Sequence, residues 1–216
     1  MADFFTRFRS IVPGLLLLSS ALLTAREAVS APKLSPEDQT TVRTVETYLN
    51  EVQTMKARFV QVTAEGNSVD GILYLSRPGR MRLEYAPPSP ILVVADGTFL
   101  IYYDQKLGQT SYLGLDSTPA GILLKPNVKF GDETTVTGVR HLPGAVEVSL
   151  VQTNDPSAGE LTLVLSGSPL ALKQWRVKDA QNQVVTVSLF EEKSGVVLDP
   201  ELFRFHDPNF FKPKGD

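Results

Sequence analysis

The stretch from Gly71 to Asp104 alternates apolar and polar residues with a period of two, which commits this part of the chain to strands. Four short runs are legible in it: Gly71–Ser76, Arg80–Tyr85, Ile91–Ala95 and Thr98–Asp104. Asp96-Gly97 joins the last two as a two-residue hairpin turn, because this pair tolerates the positive φ such a turn requires. In the first run Leu73, Leu75 and Arg77 share one side, with Ile72, Tyr74 and Ser76 on the other. A strand that lines a core rarely holds a guanidinium there without acceptors, because burying an unpaired charge is costly. Either the strand end reaches solvent at Arg77, or Arg77 fastens another element.

Upstream, Lys56–Thr63 continues the strand pattern. Before it, Ser35-Pro36-Glu37-Asp38 is a helix start: a capping hydroxyl, proline at the first helical position, then acids at the positive end of the dipole. Val42, Val45, Leu49 and Val52 follow at helical spacing, which predicts an amphipathic helix over about 36–54. A second, short helix is expected at Ala120–Leu124, capped by Ser117 or Thr118, opened by Pro119 and closed by Pro126. Beyond it Val146, Val148 and Leu150 face one way, as do Leu161, Leu163 and Leu165, then Trp175 and Val177, then Val185, Val187 and Leu189. Short turns separate these runs, so neighbours should pair antiparallel. The residues therefore predict one curved antiparallel sheet or barrel with two helices on its apolar face, either filled or hollow.

Residues 1–31 are expected to form a cleavable export signal: Arg7 and Arg9 ahead of the apolar stretch Ile11–Ala25, then the small-residue exit Val29-Ser30-Ala31. Residues 32–216 then make a single domain, secreted or periplasmic. Its formal charge is −4, against −3 for the whole chain, because three arginines and two acids leave with the signal. Such a balance supplies no basic field for nucleic acid. The chain has no cysteine, hence no disulfide framework and no residue for a lipid anchor.

The catalytic inventory is thin. His141 is expected in a loop and His206 near the C-terminus, and no serine sits in a G-x-S-x-G elbow. Metal ligands at helical or looped spacing are missing, as is a glycine-rich phosphate loop. The expectation is a binding protein with no catalytic residue, metal or cofactor.

An ordered set of motifs carries a resemblance. Phe59-x-Gln61, Gly71-x-Leu73-x-x-x-Arg77-Pro78, Tyr85 with Pro87-Pro88, Asp96-Gly97 and Tyr103-Asp104 come first. The Thr118-Pro119 helix with Leu123-Leu124 follows, then Asp199-Pro200-x-Leu202-Phe203-x-Phe205. Together they resemble the periplasmic lipoprotein carriers of the LolA family over nearly all of residues 32–216. At Leu83 and Ile101, where the family commonly carries tryptophan, this chain has smaller aliphatics.

The resemblance implies a mainly β fold: an incomplete, strongly curved antiparallel β-barrel whose apolar cavity is covered by helices. It implies a monomer that takes acylated lipoproteins from an inner-membrane ABC transporter and passes them to an outer-membrane acceptor. Arg77 would be the lid latch, donating to carbonyls at the end of the 118–124 helix. Leu73, Leu75, Met81, Leu83, Tyr85, Leu92, Ile101, Ile122, Leu123, Val148, Leu163, Trp175 and Val187 would line the acyl-chain cavity. The alternatives are a periplasmic carrier of another lipid, phospholipid or polyketide-like, or a lipid-sensing scaffold domain of the same fold.

Overall fold

Helix α1 (Pro36–Glu51) opens on the expected cap: the Ser35 hydroxyl accepts from the Asp38 amide at 3.1 Å, and the Asp38 carboxylate accepts from the Ser35 amide at 3.2 Å. The computed structural model describes residues 33–208, and the export signal expected at 1–31 lies outside them. The helix stops at Glu51, three residues short of the expected end, because Val52 already has extended backbone and begins the lead into the first strand.

Eleven strands follow: β1 (Thr54–Val62), β2 (Ser68–Ser76), β3 (Arg80–Tyr85), β4 (Ile91–Asp96), β5 (Phe99–Asp104), β6 (Gln109–Gly114), β7 (Thr134–Leu142), β8 (Ala145–Gln152), β9 (Gly159–Ser166), β10 (Ala171–Asp179) and β11 (Val184–Ser194). Helix α2 (Pro119–Leu124) lies between β6 and β7, entered by a 3-10 turn at Leu115–Ser117. The strands form one antiparallel sheet in the order β6-β5-β4-β3-β2-β1-β11-β10-β9-β8-β7. The first and last strands of the sequence series therefore meet in the middle, and the sheet does not close: β6 and β7 are its edges. These two were not expected as strands. Half-exposed on both sides, β6 lacks a clean alternation, and Gly138 and a register shift break the pattern of β7. His141 consequently sits in β7 rather than in a loop.

Register fixes which side chains share the inner face. Ala57, Leu73, Leu83 and Val93 stand in one row across β1 to β4. Val187, Trp175, Leu163 and Val148 stand in another across β11 to β8. Both rows join Val42, Val45 and Leu49 of α1 and Ile122, Leu123 and Leu124 of α2 in one buried cluster. The inner face is thus filled by the helices' own side chains, each worth about 1.5–3 kcal/mol of transfer free energy when fully buried.

One glycine is required by this packing. At Gly71 a Cβ would lie 2.8 Å from the Phe59 ring and 2.0 Å from the Glu84 carbonyl oxygen. Only hydrogen leaves room for Phe59 to cross from β1 onto β2 and meet the Tyr85 ring edge-on, with centroids 5.1 Å apart.

The outer face of β3–β5 is covered as well. A C-terminal 3-10 turn, Pro200–Phe203, lies against β3 and β4. Arg82 donates through Nη1 to the Leu202 carbonyl at 3.1 Å, Phe203 is buried, and the Phe205 ring leans on Tyr103 at 5.4 Å.

Candidate functional site

The turn between β2 and β3 meets the C-terminal ends of both helices. A helix leaves its last carbonyls without partners, and two such ends together make a concentrated array of acceptors with negative dipole character. Arg77 directly follows β2, opening the turn to β3, and is 8% exposed. Its Nη1 donates to the Leu49 carbonyl in the last turn of α1. Its Nε, at 3.2 Å, and its Nη2 donate to the carbonyl of Lys125, the residue that caps α2. The backbone repeats the pattern: Arg77 N donates to Gln53 O and Gly79 N to Leu124 O, both at 2.8 Å. Gly79 has φ +75, and a Cβ there would come within 2.8 Å of the Gly97 Cα in the neighbouring hairpin turn. Burial lowers the guanidinium's pKa from its ordinary 12.5, and the helix-end carbonyls supply the compensating acceptors.

Other polar side chains join the helices to one another or to the sheet. The Asn50 amide pairs with both backbone groups of Val128, and the Glu46 carboxylate accepts from the Phe130 amide at 2.5 Å. Both contacts tie α1 to the segment that follows α2. At the other end of α2, buried Gln152 donates to the carbonyls of Asp116, at 2.7 Å, and Thr118, at 3.1 Å. Asp38 at the start of α1 meets His141 of β7 at 3.1 Å. The Ser35 hydroxyl first, and His141 second, hold the Asp38 carboxyl below its ordinary value.

Of the residues expected to line a cavity, Leu73, Leu75, Met81, Leu83, Ile122, Leu123, Val148, Leu163, Trp175 and Val187 are in the inner cluster, with Tyr85 packed against it. Leu92 and Ile101 are not, and this corrects the expectation. Leu83 pairs with Val93, so Val93 takes the inner position and Leu92 points out; Ile101 pairs with Val94 on the same outer face. Ile101 is nevertheless only 2% exposed, which is why its hydrophobicity misleads. The expected acceptor for Arg77, the carbonyl end of the 118–124 helix, is present, and the Leu49 carbonyl is a second acceptor that was not foreseen. Asn50, Glu46 and Gln152 were missed. Gln152 alone carried a signal, since it continues the Val146, Val148, Leu150 series by two residues.

The profile of the family described as outer membrane lipoprotein carrier protein LolA matches residues 50–206. An outer-membrane lipoprotein carrier protein of Nitrosomonas europaea is 27% identical over 186 residues, covering 80% of this chain and 88% of that one. A protein of the same name from Pseudomonas aeruginosa is 28% identical over 203 residues, covering 88% and 95%. A solved LolA superfamily protein from Nitrosomonas europaea aligns over 76% of this chain and 97% of its own, with 9% identity and a TM-score of 0.45. With most of its length matched by that profile, this chain belongs to the LolA family.

Proposed function

We propose that this protein is a periplasmic carrier that holds the acyl chains of lipoproteins on its inner apolar face and moves them from the inner to the outer membrane. The observation that carries the reading is the closure of that face by two helices whose C-terminal carbonyls converge on one buried side chain, Arg77. The kinship with proteins named as lipoprotein carriers supports it.

The physical need for a carrier is large. A chain of roughly fifteen methylenes costs on the order of 12 kcal/mol to expose to water, at about 0.8 kcal/mol per methylene. A cavity that bound such a chain with all of that free energy would never release it. Here Val42, Val45, Leu49 and Ile122–Leu124 occupy the inner face themselves, so cargo has to displace them. Arg77 acts as the latch of this lid: its hydrogen bonds stabilise the closed form and lower the net affinity for cargo by the same amount. On this reading the donor is a lipoprotein-releasing ABC transporter of the inner membrane, and the receiver is an outer-membrane acceptor.

The test is mass spectrometry of what co-purifies from periplasm, wild type beside Arg77→Leu. Peptides with an acylated N-terminal cysteine, enriched in the variant, are expected. Phospholipid or another free lipid in their place would keep the binding face and change the cargo. Protein without lipid in both samples would leave the inner face a plain core and end the carrier reading.

A further inference from the structure

The inner face is not apolar to its end. On β1 the inward series runs Met55, Ala57, Phe59 and then Gln61; on β3 it runs Met81, Leu83 and then Tyr85. Both polar residues come at the end of the strand remote from Arg77. There the Tyr85 hydroxyl donates to Gln61 Oε1 at 2.7 Å, with the Tyr85 ring anchored edge-on against Phe59. Tyr102 of β5, paired with Val93, brings a second hydroxyl, and a third polar group, to the same face. Burial, and then the neighbouring Tyr102, push the Tyr85 phenol well above its ordinary value, so all three groups are neutral donors or acceptors.

This end is also the more open one. Gln61, Tyr85, Tyr102, Val177 and Val185 are half-buried, whereas Met55, Leu75 and Met81 beside the helices are fully buried. The carbonyl of the Gln61 amide is engaged by Tyr85, and no acceptor among the described residues takes its N–H groups. The charge nearby argues against an anionic guest. Asp104 follows Tyr102 by two residues and adds to the burial that raises the Tyr102 pKa, and Arg58 of β1 faces outward, paired with Glu191.

We propose that Gln61, oriented by Tyr85 and accompanied by Tyr102, binds the neutral carbonyl of an acyl ester or acyl amide, with the hydrocarbon laid along the apolar rows toward the helices. The inference rests on the carrier reading and gives it a recognition element. Hydrocarbon burial alone cannot distinguish an acylated molecule from an alkane, whereas an N–H that a bound chain shuts off from water, and that the wrong ligand leaves unpaired, can.

Trp175 supplies the readout. It is the chain's one tryptophan, and it shares a row with Gln61: Gln61 pairs with Val187, which pairs with Trp175. Quenching of its fluorescence by a dibromostearoyl glycerol ester, by the ether analogue lacking only the carbonyl, and by dibromostearic acid can be titrated in the full chain. The expected result is binding of the ester about tenfold tighter than the ether, which is about 1.4 kcal/mol. Gln61→Leu should bring that ratio near one without weakening the ether. Tyr85→Phe, which keeps the ring against Phe59, should lower it partly. An ester-to-ether ratio of one in wild type, a ratio unchanged in Gln61→Leu, or tighter binding of the free acid each overturns the carbonyl site while leaving the carrier intact. Failure of every ligand to quench, in wild type and in Arg77→Leu alike, removes the carrier reading itself. A triacylated cysteine peptide and a phosphatidylcholine with the same brominated chains both supply the carbonyl, and their relative quenching separates the two sources.

Discussion

Asn50 and Val128 are joined by a two-way amide pair: Asn50 Nδ2 donates to Val128 O at 2.9 Å, and Val128 N donates to Asn50 Oδ1 at 2.8 Å. With Glu46 receiving the Phe130 amide, this makes α1 and the segment after α2 a single body, held to the sheet by Arg77. Hydrogen exchange can check this. In Arg77→Leu, amides of the last turn of α1 and of residues 124–130 should lose protection together. In Asn50→Ala, which removes two partly buried hydrogen bonds worth about 1–2 kcal/mol in all, residues 126–130 should open while α1 keeps its protection. Independent behaviour of the two segments in Arg77→Leu would show that they are not one lid.

Gly71 sets a sharper stability test. Its missing side chain is where the Phe59 ring sits, and the Glu84 carbonyl oxygen closes the same space. Backbone cannot yield as a flexible side chain would, so Gly71→Ala should cost about 3 kcal/mol, at the high end for overpacking. The companion change Phe59→Leu should recover only the part that comes from the ring. Denaturant midpoints of the two single variants and the double variant measure it, and a midpoint for Gly71→Ala close to wild type would contradict the packing described.

The inner face was legible because register is a parity rule: once Leu73 is inward, Leu75 and Arg77 must be too. The same rule failed at Leu92, because a continuous apolar run in β4 conceals which residue is inward, and with it at Ile101 of β5, whose partner Val94 lies in that run. What decides it is the pairing of Leu83 with Val93, and pairing is not written locally. The strap at Pro200–Phe203 then buries the outer side of that run, so hydrophobicity was required on both faces. Arg77 announced itself as a charge among leucines. Asn50 and Gln152 did not, because an amide bonded to backbone 78 or 34 residues away looks like any other surface amide until the chain is folded.

The strap predicts a large effect from a residue outside the inner cluster. Phe203 is 4% exposed and closes over the outer face of β3 and β4. Phe203→Ala should destabilise by about 3–5 kcal/mol, the usual range for truncating a buried phenylalanine. It should do so without changing lipid binding per folded molecule, since Phe203 and the inner face lie on opposite sides of the sheet. Loss of binding in step with loss of folded protein, and no further, is the expected outcome; a selective binding defect would mean that the strap acts on the lid.

Glu147 gives the acid limb of the stability profile. It is 7% exposed on the outer side of β8, with Arg140 and Arg176 donating to its carboxylate. Burial on its own would raise the carboxyl, but the two arginines outweigh it and hold the pKa below the ordinary 4.5. A depressed carboxylate contributes stability that is complete above its unfolded value and is lost as pH falls through the folded one. Wild type should therefore be more stable than Glu147→Gln at neutral pH, and the two should converge as pH drops below 4.5. Parallel profiles across that range would show that Glu147 is not held by its partners.

The alkaline limb belongs to the tyrosines of the inner face. Burial, with Asp104 adding to it, pushes Tyr102 from 10.0 up to about 12. The sign is opposite to that of Glu147. The unfolded chain releases the proton first, so the stability present below pH 10 is lost progressively as pH climbs towards 12. Tyr102→Phe removes this titration and keeps the ring, so its stability should fall less steeply than that of wild type over the same interval. Absorbance of tyrosinate gives the companion measurement. Tyr102 should ionise near pH 12 in the folded protein, with Tyr85 later still, and each late step should vanish in the matching phenylalanine variant. If all six tyrosines ionised together near pH 10 before unfolding, the hydroxyls at the open end of the inner face would be in water, and Tyr85 could not hold a desolvated Gln61 amide toward a bound carbonyl.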